Sequence, residues 1–426
     1  MYYTLMFLRF LGITALSIAL LAVALLTRGY PLHPSDLFSR IEKSYLIASH
    51  KRITREKMTE TLRAQNKSRD ISEFFKVFKG KDHEYTVQTT IHPILQHDIK
   101  TTFKKAQIAY GAFVAIDPTT GKVLSMVSYG MKNQNLALRA TFPAASIFKI
   151  VTASAAIESG KFKHDSLIPV LGSYHTLYKR NLFKSGALEP ESSPRYARLI
   201  SFADALAKSV NSVFGKIGIF GLGSDGIKKA ARQFAFNREI PFELNVESSK
   251  SLVPEDEYGL AESASGFTKN NTISPLHGAL IASAIANEGA MMQPTLIERL
   301  TNEQGQLAYE FEPHVFSHST DEKTSEELKV MLNRTITNGT SRTSFSGIDK
   351  STSLSNLFIG GKTGTLEGWD PRGRYDWFVG FADNGHKKLA VSALCIHGKY
   401  RGMKASKIAR TAFETYFKIL LASNDF

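Results

Sequence analysis

The chain has 426 residues, 43% of them hydrophobic, with 53 lysines and arginines against 39 aspartates and glutamates and a formal net charge of +14. This composition excludes a disordered protein, and the length allows one large domain or two ordinary ones. The positive balance suits nucleic acid, an anionic membrane surface or an acidic polymer. The single cysteine, Cys395 in the apolar run Leu389 to Ile396, excludes an internal disulfide and reads as a core residue.

Phe10 to Thr27 carries no charge and is flanked by Arg9 and Arg28. At about 18 residues it is close to the minimum for a membrane-spanning helix. Its only A-x-A-like triplet, Ala22-Val23-Ala24, lies inside the apolar run and not after it, so residues 1–30 are expected to be an uncleaved anchor. The large remainder is then exported, since long domains cross largely regardless of charge. Export removes nucleic acid as a partner. Residues 31–82 read as a charged helical stalk, with Met58 and Leu62, and then Ile71, Phe74, Phe75 and Phe78, marking apolar stripes. Asp70 with Glu73 resembles a capping box there. Lys51, Arg52, Arg55 and Lys57 are placed either to touch anionic headgroups or, equally, to face water in a solvated linker.

From about Lys81 the pattern changes to strands. Gly111 to Asp117 and Val123 to Val127 flank the turn Pro118-Thr119-Thr120-Gly121 and predict a hairpin. Pro143 suits the first turn of a buried helix that opens near Ala144 and stops at Gly160. Helices are expected over Phe202–Lys208, Gly226–Phe236, Pro275–Asn287 and Ser325–Ile336. Strands resume at Tyr375–Ala382 and Leu389–Ile396 about an Asn384-Gly385 turn. A closing amphipathic helix presents Ile408, Ala412, Tyr416 and Leu420. The fold class is therefore α/β, of the α+β kind: an antiparallel sheet flanked by helices, with an all-helical lobe. The histidines show no metal-ligand spacing, and His92 and His97 read as surface or packing residues. No metal and no cofactor is implied.

Three clusters carry chemistry. Ser146 and Lys149 are three apart and share one helical face. A hydroxyl near a helix N-terminus is favoured as a developing alkoxide, and a lysine in an apolar setting loses its charge cheaply and can take the serine proton. Ser209 and Asn211 lie two apart on a turn, where both side chains can face one cleft. Equally, such residues cap helices regardless of function. Gly360-Gly361-Lys362-Thr363-Gly364-Thr365 places a lysine and two hydroxyls among glycines that allow another backbone or a ligand to come close. It is not a phosphate loop, because Asn356 stands where that motif needs glycine.

S-x-x-K, S-x-N and K-T-G in this order resemble the transpeptidase domain of the penicillin-binding proteins, in its monofunctional class B-like form. The likeness runs from about Val87 to the C-terminal helix and includes Ala115-Ile116-Asp117-Pro118-Thr119-Thr120-Gly121 and Trp377-Phe378-Val379-Gly380-Phe381. It implies a domain over residues 83–426 that cross-links peptidoglycan stem peptides and is acylated by β-lactams. By the same resemblance Ser146 is the nucleophile, Lys149 its base, Ser209 a proton relay and Asn211 a positioner of the donor peptide. Lys362 and Thr363, with Gly364 and Thr365 beside them, hold the terminal carboxylate. The N–H groups of Ser146 and Thr365 form an oxyanion hole. The resemblance further implies D-Ala-D-Ala donors and amine acceptors as partners. A bacterial inner-membrane location with the domain in the periplasm follows, as does a glycan polymerase of the wall-synthesis complex as a further partner.

The chain departs from the family in lacking a glycosyltransferase region and a large N-terminal pedestal. Two alternatives follow from the same motifs. One is a hydrolase, either a D,D-carboxypeptidase or a class D-like β-lactamase, although class D enzymes carry valine where this chain has Asn211. A class A deacylating loop fails on spacing, since Pro241 stands where its glutamate would be and Glu243 is displaced. The other is a non-catalytic β-lactam sensor or wall-complex scaffold.

Overall fold

The computed structural model describes residues 53–65, 77–79 and 84–423, apart from 133, 184–187, 196, 351 and 352. The expected anchor and the Asp70/Glu73 box lie outside these residues. Among the described residues no helix is long and apolar enough to cross a membrane.

The domain is built on a five-stranded antiparallel sheet. Its strands are β2 (Tyr110–Ile116), β3 (Val123–Tyr129), β5 (Phe358–Trp369), β6 (Arg372–Asp383) and β7 (Lys388–His397), in the spatial order β5-β6-β7-β2-β3. A separate β1 (Glu84–Thr89) pairs with β4 (Ile297–Asn302). In β7 every residue after Lys388 is buried, which is why its sequence is a continuous apolar run and why Cys395 is a core residue. Helices α2 (Pro93–Lys105) and α10 (Ala405–Ser423) pack on each other and share one core cluster with the sheet. Ile408, Ala412 and Tyr416 are buried there, and Leu420 packs against them. The wholly buried helix α8 (Pro275–Ala286) packs on β2, β6 and β7.

The helical elements that position the site are α3 (Lys149–Glu158), α4 (Phe202–Ala207), α5 (Asn211–Lys216), α6 (Gly223–Gln233), α7 (Glu257–Ser265) and α9 (Glu322–Thr337). The strand α9 packs on is β5, at the sheet edge. Observed bounds differ from the expected ones mostly at helix ends, where capping side chains decide. Ser201, Ser274 and Asp321 each accept an N–H from the first turn of α4, α8 and α9.

Three expectations are corrected. Pro143 is not in a helix. Phe142–Pro143 pairs with Thr272–Ile273 as a short strand, the Ala144 N–H donates to Asn271 O at 2.8 Å, and the Pro143 carbonyl accepts the Trp377 indole N–H at 3.0 Å. These tertiary bonds outcompete the local helical preference, and the helix begins as a 3-10 turn over Ala145–Phe148 before α3.

Residues 77–79, the end of the expected stalk, are a strand paired with Glu84–Thr86 and not a helix. Likewise, the helix α1 (Arg55–Gln65) is no solvated linker. Met58 and Leu62 are buried, Arg55 bonds Glu243 and Pro294 O, and Arg63 bonds Phe242 O. Arg55, expected to face headgroups or water, faces the domain instead, as Arg63 does, because buried acceptors stand there.

Candidate active site

Ser146 sits on the 3-10 turn, half-buried, between two buried walls. Ala145 before it has φ +48°, a conformation L-residues avoid, at a cost of about 1–3 kcal/mol. Two glycines make the turn possible. Gly266, at φ +65° after α7, lies so close that a Cβ would stand on the Ala145 carbonyl, so no other residue fits. Gly364 of β5 lies on the other side, where a Cβ would be 3.3 Å from Ile147 Cγ1. The edge strand and the loop after α7 therefore both abut the nucleophile turn.

Lys149 is fully buried at the start of α3. Its Nζ lies 2.9 Å from Ser146 Oγ, 2.7 Å from Asn211 Oδ1 and 2.5 Å from Ser265 O. The last two are pure acceptors here, and the first is a hydroxyl that can donate. A neutral amine has two protons and one lone pair, so this set satisfies it completely. A charged ammonium would need Ser146 as a third acceptor. Burial drives the Lys149 pKa well below the usual lysine value, and the charge of Lys362 lowers it further. The Phe214 ring lies 5.6 Å from Nζ and helps keep the group dry. The arrangement can thus remove the Ser146 proton.

The second cluster lies where α4 meets α5. Ser209, at φ +58°, is a second strained residue of the cleft, and its turn separates the directions of Ser209 and Asn211. The Asn211 amide is oriented by both of its ends. Oδ1 accepts from Lys149, Nδ2 donates to His175 O at 2.9 Å, and its backbone N–H donates to Tyr174 O at 2.7 Å. Ser209 Oγ accepts from Lys362 Nζ at 3.0 Å. The three clusters therefore meet in two hydrogen-bonded sets, Ser146–Lys149–Asn211 and Ser209–Lys362, with Ser209 and Asn211 two residues apart on the turn that joins them.

Lys362 departs from the fixed positive charge expected of it. It is fully buried, and desolvation lowers its pKa to about 7. Its Nζ also donates to Thr363 O at 2.8 Å. Thr363 Oγ1 lies 2.5 Å from Thr340 Oγ1, and Thr365 is exposed further along the same strand face. In register, Lys362 pairs with Val379 and Thr365 with Asp376, so the other side of β5 is left as the free edge of the sheet.

Sequence reasoning missed four contributors, Ser265, His175, Thr340 and Gly266. Ser265 and His175 act through main-chain carbonyls, which any residue could supply. Thr340 reaches Thr363 because its N–H is tied to Ala207 O. The His175 ring bonds the Ser209 backbone in the field of Lys149 and Lys362, and burial lowers its pKa. Of these, only Gly266 beside Ser265 left a trace in sequence, as a glycine after a helix.

Glu243, by contrast, serves a different centre. It is fully buried and accepts from Arg55 Nη2 at 3.1 Å, Thr295 Oγ1 at 2.6 Å and the Leu296 N–H at 3.0 Å. Burial pushes its pKa up against the pull of Arg55.

The domain is similar in sequence and fold to known proteins. A family model described as the penicillin binding protein transpeptidase domain matches residues 111–414. The peptidoglycan D,D-transpeptidase PbpA of Mycolicibacterium smegmatis is 28% identical over 360 residues, covering 75% of this chain and 69% of that protein. Among solved structures, PBPA from Mycobacterium tuberculosis superposes with a TM-score of 0.64 at 24% identity, over 78% of this chain and 82% of that one. A penicillin G acyl-enzyme complex of penicillin-binding protein A from M. tuberculosis gives 0.62 at 24% identity, over 78% and 80%.

Proposed function

The chain belongs to the penicillin-binding protein transpeptidase family, and from that premise we propose that it is a serine D,D-transpeptidase that cross-links peptidoglycan stem peptides. The observation that carries the mechanism is the buried Lys149 Nζ, 2.9 Å from Ser146 Oγ and held by Asn211 Oδ1 and Ser265 O. Lys149 takes the proton as Ser146 Oγ attacks the penultimate D-Ala carbonyl. The oxyanion faces the N–H groups of Ser146 and Thr365, which the close packing of Gly364 on the turn keeps together. Ser209, bonded to Lys362, passes a proton to the departing D-alanine amine. The terminal carboxylate is held by Lys362, Thr363 and Thr365 at the strand edge, and its arrival favours the charged form of Lys362. The amine of a second stem then attacks the ester, and the proton path runs in reverse.

β-Lactams enter the same site and acylate Ser146, in keeping with the penicillin G acyl-enzyme of the M. tuberculosis relative. The charge-free run Phe10 to Thr27 supports a single-pass anchor in the bacterial inner membrane, with the domain in the periplasm beside a glycan polymerase. The decisive experiment is incubation of the protein with a labelled penicillin. One equivalent is expected on Ser146, none on Ser146→Ala, and release of D-alanine from a pentapeptide with transfer to an added amine. Labelling retained by Ser146→Ala overturns the assignment. Release without transfer to any amine acceptor makes the protein a carboxypeptidase.

A further inference from the structure

The exposed face of β5 continues past the carboxylate-binding hydroxyls. Residues two apart on a strand share a face. Thr363 is half-buried, and Thr365, Glu367 and Trp369 on that face are exposed, while Gly364 and Gly368 between them are buried. Trp369 ends the row with 64% of its surface exposed. Tryptophan is among the side chains that most often anchor a bound partner, and this one stands open at the end of a substrate-binding edge.

Two cations flank its ring. Lys269 Nζ lies 4.9 Å from the ring centroid and the Arg372 guanidinium 5.3 Å. Lys269 comes from the loop that starts at Gly266, the glycine pressed on the Ala145 carbonyl, and Phe267 of that loop is 42% exposed. Arg372 comes from β6, where it pairs in register with Trp369. The platform is thus tied to both walls that hold Ser146. One acid nearby is already paired, and another lies across from an arginine in the strand register. Asp370 bonds Arg139 at 2.5 Å, and Glu367 stands opposite Arg374. Among the described residues, neither Lys269 nor Arg372 forms an ion pair with a carboxylate.

We propose that Trp369, Lys269 and Arg372 form a subsite for a carboxylate that the donor stem peptide carries about two to three residues upstream of the scissile bond. The inference rests on the transpeptidase reading. A donor extended along β5, with its terminal carboxylate at Lys362 and Thr363 and its scissile carbonyl at Ser146, runs on toward Trp369. Four strand residues separate Thr365 from Trp369, about 13 Å at ~3.3 Å per residue. A side-chain carboxylate two or three residues upstream spans that distance. The ring supplies an apolar bed for the peptide stem, and the two cations supply the charge. Penicillins are too short to reach it.

The test compares two synthetic pentapeptide donors, identical except that the upstream carboxylate is free in one and amidated in the other. Acylation of Ser146 is followed as kcat/KM. The free acid is expected to react about 3–10-fold faster, the yield of two exposed cations. Lys269→Ala/Arg372→Ala is expected to remove that preference without slowing the amidated donor. Trp369→Ala is expected to slow both donors, by the loss of apolar contact. Equal rates of the two donors with the unmutated protein, or a preference that survives the double variant, overturns the inference and leaves the transpeptidase reading standing. Failure of both donors to acylate the unmutated protein, with penicillin still labelling Ser146, overturns that reading and this inference together.

Discussion

Lys149 and Glu243 are both fully buried ionisable groups, and they have opposite fates. Lys149 is surrounded by groups that match its neutral form: two carbonyl oxygens and a hydroxyl, with the Lys362 charge adding repulsion. Glu243 is surrounded by groups that match its charged form: a guanidinium, a hydroxyl and a backbone N–H. Burial penalises the charge of both. What separates a reactive group from an inert one is the partner set. A neutral lysine with a free lone pair beside a hydroxyl is a base. A carboxylate held by a guanidinium, a hydroxyl and a backbone N–H is a structural anchor, here joining α1 to the segment before β4.

The sharpest way to break this contrast is to remove each group in turn. Lys149→Ala takes away the proton acceptor and nothing that a buried cavity cannot absorb. Acylation by penicillin is expected to slow by about 10²–10⁴-fold, while the fold persists by circular dichroism. Near-normal acylation by a folded variant would place the base elsewhere.

Glu243→Ala should do the reverse. It leaves Arg55, whose side chain is only 14% exposed, without its carboxylate, and a broken buried pair typically costs about 3–5 kcal/mol of stability. Thermal denaturation reads that loss. The rate of acylation and the lifetime of the penicilloyl adduct are expected to stay unchanged at a temperature where the variant is folded. A β-lactamase needs a second base to activate water against the ester, and Glu243 would be the acidic candidate by sequence. An intact-mass time course in which the unmutated protein sheds its adduct rapidly, and Glu243→Gln does not, would make Glu243 that base.

These two centres were unequally legible in the sequence. Ser146, Lys149, Ser209, Asn211 and Lys362 stood out because each belongs to a short motif, and the structure brings them into two bonded sets, Ser146–Lys149–Asn211 and Ser209–Lys362. The sheet and its flanking helices were legible as well, since β7 and α8 are long and uniformly apolar. The entry to the nucleophile turn was not. Pro143 looks like a helix start from local preference alone, and only the distant Asn271 and Trp377 turn it into a strand. The docking of α1 was equally hidden, because Arg55 and Arg63 read as solvent-facing charges until Glu243 and Phe242 O are placed beside them. Carbonyl acceptors such as Ser265 O and His175 O leave no mark on residue identity at all.

Lys362 refines the contrast, because it must be neutral and charged by turns. In the free protein desolvation holds its pKa at about 7, and its Nζ rests on Ser209 Oγ and Thr363 O. A substrate carboxylate supplies the missing counter-charge, a contact typically worth about 1.5–3 kcal/mol, or roughly 10–100-fold in rate. The sign of the pH dependence follows. Above about 7 the free enzyme loses the charge, so kcat/KM for a free-acid donor should fall about tenfold per unit until that contribution is spent. As the pH falls Lys149 gains a proton and the base is lost, which gives the acid limb.

Folding shows the opposite trend to activity on the alkaline side. The unfolded chain binds a proton at Lys362 up to about 10.5 and the folded one only up to about 7, so stability contributed by this group rises with pH between those values. Lys362→Ala is therefore expected to lose the alkaline limb, keep the acid limb, react 10–100-fold more slowly with the acid donor, and show little further loss when the terminal carboxylate is amidated. An alkaline limb of unchanged position in that variant, or equal rates of acid and amidated donors with the unmutated enzyme, would remove Lys362 from carboxylate binding.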